Sequence, residues 1–125
     1  MTRILAIFAA LFAANVGVAG DYLSSEQVKE QFIDKTFDGV YLPKNKRFST
    51  YSGADGALKV VRPNGKTDPA RSWFVKDDGQ RCVTHPRWKN HSEWADGRCA
   101  WVKDAGNGEI HQFSPDGEHT HIFTN

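Results

Sequence analysis

Three histidines, His111, His119 and His121, are the residues of this chain best suited to metal chemistry. On a β-strand, positions two apart point to one face, so His119 and His121 are expected side by side. His111 lies on the preceding apolar run, and a turn at Pro115-Asp116-Gly117 would fold it back towards them. Imidazoles on adjoining strands hold zinc or copper, which makes these three the candidate metal ligands. Nothing else in the chain implies a cofactor. The competing reading places them on a solvated edge strand, with Phe113 and Phe123 on the same face.

The second constellation is the stretch from Arg81 to Lys103, which holds both cysteines and three of the four tryptophans. Sixteen residues separate Cys82 from Cys99. In an exported chain a lone cysteine pair forms an intramolecular disulfide, and closing this loop stabilises a fold by about 3 kcal/mol in the chain-entropy picture. There is no C-x-x-C spacing to suggest a redox or metal pair. Between the cysteines, His85, Arg87, Trp88, His91 and Trp94 set aromatic rings beside cations on a segment that His85-Pro86 keeps from being one continuous strand. Tryptophan and arginine dominate binding hot spots, so these five are the candidate ligand- or partner-binding residues. Trp88 and Trp94 have a structural alternative, covering the open end of a barrel, because large aromatics rarely stay exposed.

Catalysis has little support. No Gly-x-Ser-x-Gly elbow exists, and no glycine-rich phosphate loop precedes a helix. Glu93, Asp96, Glu109 and Glu118 are carboxylates without a spacing that pairs them. The expectation is a non-catalytic binding or interaction domain.

The elements that must position these residues follow from patterning. Thr2-Arg3, an apolar run over Ile4 to Val18 and the small residues Val18-Ala19-Gly20 have the layout of a secretory signal peptide, residues 1–20. Removing 20 of the 125 residues leaves 105, one domain by size. Arg3 leaves with the signal, so 15 basic residues face 15 acidic ones. That balance argues against nucleic acid as a partner. The expected location is periplasmic or secreted, with no transmembrane segment after cleavage and a monomeric state.

Within the mature part, Asp21 to Lys35 reads as a short amphipathic helix. Ser24 and Gln27 form a capping box, and Leu23 with Val28 a hydrophobic staple. Beyond it come short β-type runs near Val40–Leu42, Arg47–Tyr51, Leu58–Arg62, Ser72–Lys76, Arg81–Thr84, Cys99–Lys103, Glu109–Phe113 and His119–Phe123. Asp-Gly and Asn-Gly pairs punctuate the chain at 38, 55, 64, 78, 96, 107 and 116, supplying the positive φ that tight hairpins require. This predicts a mainly β domain, a small antiparallel barrel or curved sheet of about eight short strands with one N-terminal helix. Trp73 and Trp101, in apolar strand contexts, are expected in its core.

The order of helix, Gly39-Val40-Tyr41 and meander resembles the entry to lipocalin-like barrels. The wider pattern of Tyr41, Tyr51-x-x-x-Asp55-Gly56, Trp73-Phe74-Val75, Asp78-Gly79-x-x-Cys82 and Cys99 resembles a group of small exported bacterial domains of unknown function. The resemblance implies an exported β-domain and no activity. Such a domain would recognise a small ligand or a cell-envelope or protein partner; the alternative is a periplasmic metal-binding protein using His111, His119 and His121.

Overall fold

A computed structural model describes residues 22–90 and 97–125. The expected signal segment, residues 1–20, lies outside them, as do the candidate binding residues His91 and Trp94.

The described residues fold as one α-helix followed by an eight-stranded closed antiparallel barrel. Helix α1 is Ser25–Phe32, shorter than the apolar pattern implied. The capping box is formed: the Gln27 amide donates to Ser24 Oγ at 3.3 Å, and the Ser24 amide donates to Gln27 Oε1 at 2.9 Å. The strands are β1 (Lys35–Tyr41), β2 (Lys46–Ser52), β3 (Ala57–Val61), β4 (Arg71–Val75), β5 (Arg81–Thr84), β6 (Arg98–Gly106), β7 (Glu109–Phe113) and β8 (His119–Thr124). Each pairs with its successor, and β8 returns to pair with β1, Asp38 opposite Thr124 and Tyr41 opposite His121. The C-terminal strand is therefore not the solvated edge that its position suggested.

Alternation decides which side chains fill the barrel. Phe37, Leu58, Val60, Trp73, Val102, Ile110 and Phe123 point inward and are buried. Asp38-Gly39 is not a turn but mid-strand. Gly39 faces Phe48 on β2, and a Cβ there would lie 2.5 Å from the Phe48 ring. The glycine is what allows a phenyl ring to lie across β1. By contrast Gly79, with φ +99, makes the β4–β5 turn, and a Cβ would meet the Leu23 carbonyl at 2.6 Å. The segment entering α1 runs directly over that turn, tied by the Leu23 amide to the Val102 carbonyl at 2.7 Å.

Helix α1 plugs one end of the barrel. Phe32 and Val28 are fully buried, and the Phe32 ring packs 5.3 Å from Phe37, 5.5 Å from Phe123 and 6.4 Å from Trp73. Truncating such a side chain costs about 3–5 kcal/mol, so the plug is integral to the core. Trp73 is core as expected, its indole donating to the Gly53 carbonyl at 2.8 Å. Trp101 is not. It points outward, opposite Phe113, and is half-covered by the stacked ring of Tyr22 at 5.6 Å.

Cys82 and Cys99 stand directly opposite each other on β5 and β6 and form the disulfide. Among the described residues no helix is long and apolar enough to cross a membrane.

Candidate functional site

An eight-stranded barrel has an interior just wide enough to be filled by side chains or to hold one small ligand. Here the end beneath α1 is filled, and above it lies a cavity of about 1090 Å³. Its walls are Tyr41, Phe48, Leu58, Val60, Val83 and Phe123, and it extends to the loops at the end opposite α1, where Pro63, Asp68, Trp88 and Pro115 border it.

At its floor sits Arg81, 3 % exposed. Strand parity with Val83 sends its side chain inward between Ala100 and Val75 of the neighbouring strands. The guanidinium lies 4.2 Å from the centre of the Phe32 ring, with Trp73 at 5.5 Å and Phe123 at 5.6 Å. Nη1 donates to Gln112 Oε1 at 3.1 Å and Nη2 to Ser52 Oγ at 3.0 Å, while Nε has no partner. Among the described residues no carboxylate pairs with it. Burial lowers its pKa to about 9, which still leaves it charged at neutral pH.

Gln112 links this cation to His121. With Oε1 accepting from Arg81, the amide nitrogen faces His121 Nδ1 at 3.5 Å, and Thr120 Oγ1 lies 2.9 Å from the same Nδ1. Thr120 Oγ1 itself donates to the Gln112 carbonyl at 3.4 Å and so can accept from an Nδ1–H, and these contacts fit either neutral tautomer. Burial, then Arg81, Arg98 and His119, push the His121 pKa down to about 4, so the imidazole is neutral at pH 7. Tyr41 at 5.1 Å and Phe48 at 6.2 Å flank it.

Positive charge dominates the lining. Seven lining residues are Lys or Arg, and Asp68 is the one carboxylate among the described lining residues. Asp68 is already engaged at 2.6 Å by both Arg62 Nε and Arg71 Nη2. Burial raises its pKa, but these two arginines outweigh that and hold it below the ordinary value.

The histidines meet only in part. At β7–β8 the register shifts: Gln112 faces His121 while Phe113 faces His119, leaving Thr120 as an extra residue. This bulge breaks the two-residue parity, so His119 and His121 point to opposite sides of the barrel wall. His119 stacks on His111 at 4.6 Å and on Phe113 at 4.7 Å outside, whereas His121 lines the cavity. His111 pairs with Glu109 at 2.9 Å. Phe113 and Phe123 are likewise separated, outside and inside. Among the described residues no three His, Cys, Asp or Glu side chains are grouped to hold a metal ion.

Of the candidate binding residues in the cysteine-enclosed loop, the 3-10 turn Pro86–Asn90 brings Trp88 to the cavity, with Arg71 5.9 Å and Arg98 5.8 Å from its ring. His85 packs 5.5 Å from Trp88 and accepts the Arg87 amide at Nδ1, 3.0 Å. Desolvation, Arg71 and Arg87 lower its pKa. Arg87 is exposed. Arg81, the most distinctive group of the site, was not among the candidates. The available signal was a charged residue at the inward parity of a strand whose next inward position, Val83, is apolar.

Comparison of the chain with protein-family models, with curated proteins and with solved structures returned no match.

Proposed function

We propose that the protein is an exported binding protein that holds one small ligand inside its barrel. The supporting observation is the cavity of about 1090 Å³, closed at one end by α1 and walled by aromatic and aliphatic side chains together with seven basic residues and other polar groups. Ligand pockets have volumes of about 300–1,000 Å³. Export is supported by the disulfide, which belongs to an oxidising compartment, and by the signal-like layout of residues 1–20.

The test uses a neutral apolar fluorophore, N-phenyl-1-naphthylamine. A saturable rise in emission at one probe per chain is expected, abolished by Val83→Trp, which fills the cavity from β5, with the circular dichroism spectrum retained. Absence of saturable binding, or equal binding to Val83→Trp, overturns the reading.

A further inference from the structure

We propose that the ligand is a carboxylate with an apolar body, its head group seated on the Arg81 guanidinium at the cavity floor and its body running between Phe48, Leu58, Val60 and Val83. This rests on the reading that the cavity holds a ligand.

The argument begins with an uncompensated charge. Buried cations are ordinarily paired with an anion, yet both hydrogen-bond partners of Arg81, Gln112 and Ser52, are neutral. Those bonds occupy two of its five N–H groups. The buried Nε is orphaned outright. One face of the guanidinium is covered by Phe32 at 4.2 Å, and the planar fork of the group matches the two oxygens of a carboxylate.

The neighbouring polar groups have the sign such a head group requires. Gln112 spends its oxygen on Arg81, which leaves its amide nitrogen, a donor, directed towards the cavity-lining His121. The floor therefore offers donors to an incoming group. Asp68, the described carboxylate of the lining, is held by Arg62 and Arg71 at 2.6 Å and does not neutralise Arg81.

Charge count selects a monoanion. A single cation stands at the floor among Phe32, Trp73 and Phe123, within 5.6 Å. A dianionic phosphate monoester there would carry an unpaired charge into an aromatic surround. Of the further basic lining groups, Lys46, Arg62 and Arg71 stand at the strand ends and connections away from α1 and steer anions inward without selecting the head group.

The test measures affinities by displacement of N-phenyl-1-naphthylamine at pH 7 with dodecanoate, dodecanol and dodecyl phosphate. Dodecanoate is expected to bind about tenfold to a hundredfold more tightly than dodecanol, the range of a charge-assisted hydrogen-bonded contact. Arg81→Met should remove that preference while changing dodecanol affinity by less than about threefold. Arg81→Lys, which keeps charge but loses the fork, should retain part of it. Lys59→Gln, at an exposed position outside the cavity lining, should leave the preference in place. Equal binding of dodecanoate and dodecanol overturns the proposal while the cavity reading stands. Tighter binding of dodecyl phosphate than of dodecanoate overturns the carboxylate assignment, as does a Lys59→Gln effect equal to that of Arg81→Met. If none of the three displaces the fluorophore and the fluorophore itself does not bind, the cavity reading fails.

Discussion

Replacing Arg81 by methionine should make the ligand-free protein more stable. The fall in pKa from the ordinary guanidinium value to about 9 corresponds to roughly 5 kcal/mol of unfavourable burial at about 1.36 kcal/mol per pH unit. The hydrogen bonds to Gln112 and Ser52 offset about 1.5 kcal/mol each. Methionine keeps a favourable contact with the Phe32 ring through its thioether. The net gain for Arg81→Met is then about 2 kcal/mol, within the range found when buried charges give way to apolar side chains. In a domain of this size that corresponds to a rise in melting temperature of roughly 10 °C. Thermal melts by circular dichroism at pH 7 give the first reading, and a pH series gives the second. The unfolded chain holds the Arg81 proton more tightly than the folded protein, so wild-type stability should rise with pH above about 9, an increase that Arg81→Met lacks. A lower melting temperature for Arg81→Met, with matching alkaline profiles, would refute the idea that Arg81 is an unmet charge.

Other predictions follow from the same structure. His121 is held neutral, with a pKa lowered to about 4 by burial and by Arg81; stability present above pH 6.5 should decline towards pH 4 as the unfolded state takes up the proton first, and His121→Phe should flatten that limb in acid melts. Breaking the disulfide by Cys82→Ala with Cys99→Ala should cost about 3 kcal/mol, read as a loss of denaturant midpoint without loss of fold. Gly39→Ala should destabilise by roughly 1–3 kcal/mol, because a Cβ 2.5 Å from the Phe48 ring forces the ring to move; Gly39→Ala combined with Phe48→Leu should recover part of the loss in the same melts. If that double variant is no better than Gly39→Ala alone, the contact is not the cause.

Much of the fold was legible in the sequence because its signals are local. The Ser24–Gln27 capping box is read from two residues three apart, and it forms as such. Strands β5 and β7 lie where their apolar runs place them, since turn residues flank both. What failed was parity across a longer range. The extra residue Thr120 depends on how β8 pairs with β7, and no window of β8 alone contains that information, so His119 and His121 were assigned to one face. Gly39 misled for a related reason. Asp-Gly is a turn signal by local preference, but here tertiary packing of Phe48 uses the missing side chain. Trp101 has an apolar strand context, yet its outward position is set by pairing with Phe113. Arg81 escaped because its importance lies in what surrounds it, an aromatic floor assembled from α1, β4 and β8.

The closure of β8 against β1 has a consequence for assembly. Asp38 and Thr124 pair across 86 positions of chain, so the contact that seals the barrel joins distant segments and carries the largest loop entropy, which slows folding of such topologies. Until β8 docks, β1 and β7 both present unpaired backbone, the condition under which one chain borrows a strand from another. Phe123 rides on that strand, so the floor beneath Arg81 is completed in the same step. A chain shortened before His119 should therefore appear as dimers and larger species paired edge to edge through β1 and β7 rather than as a loosened monomer.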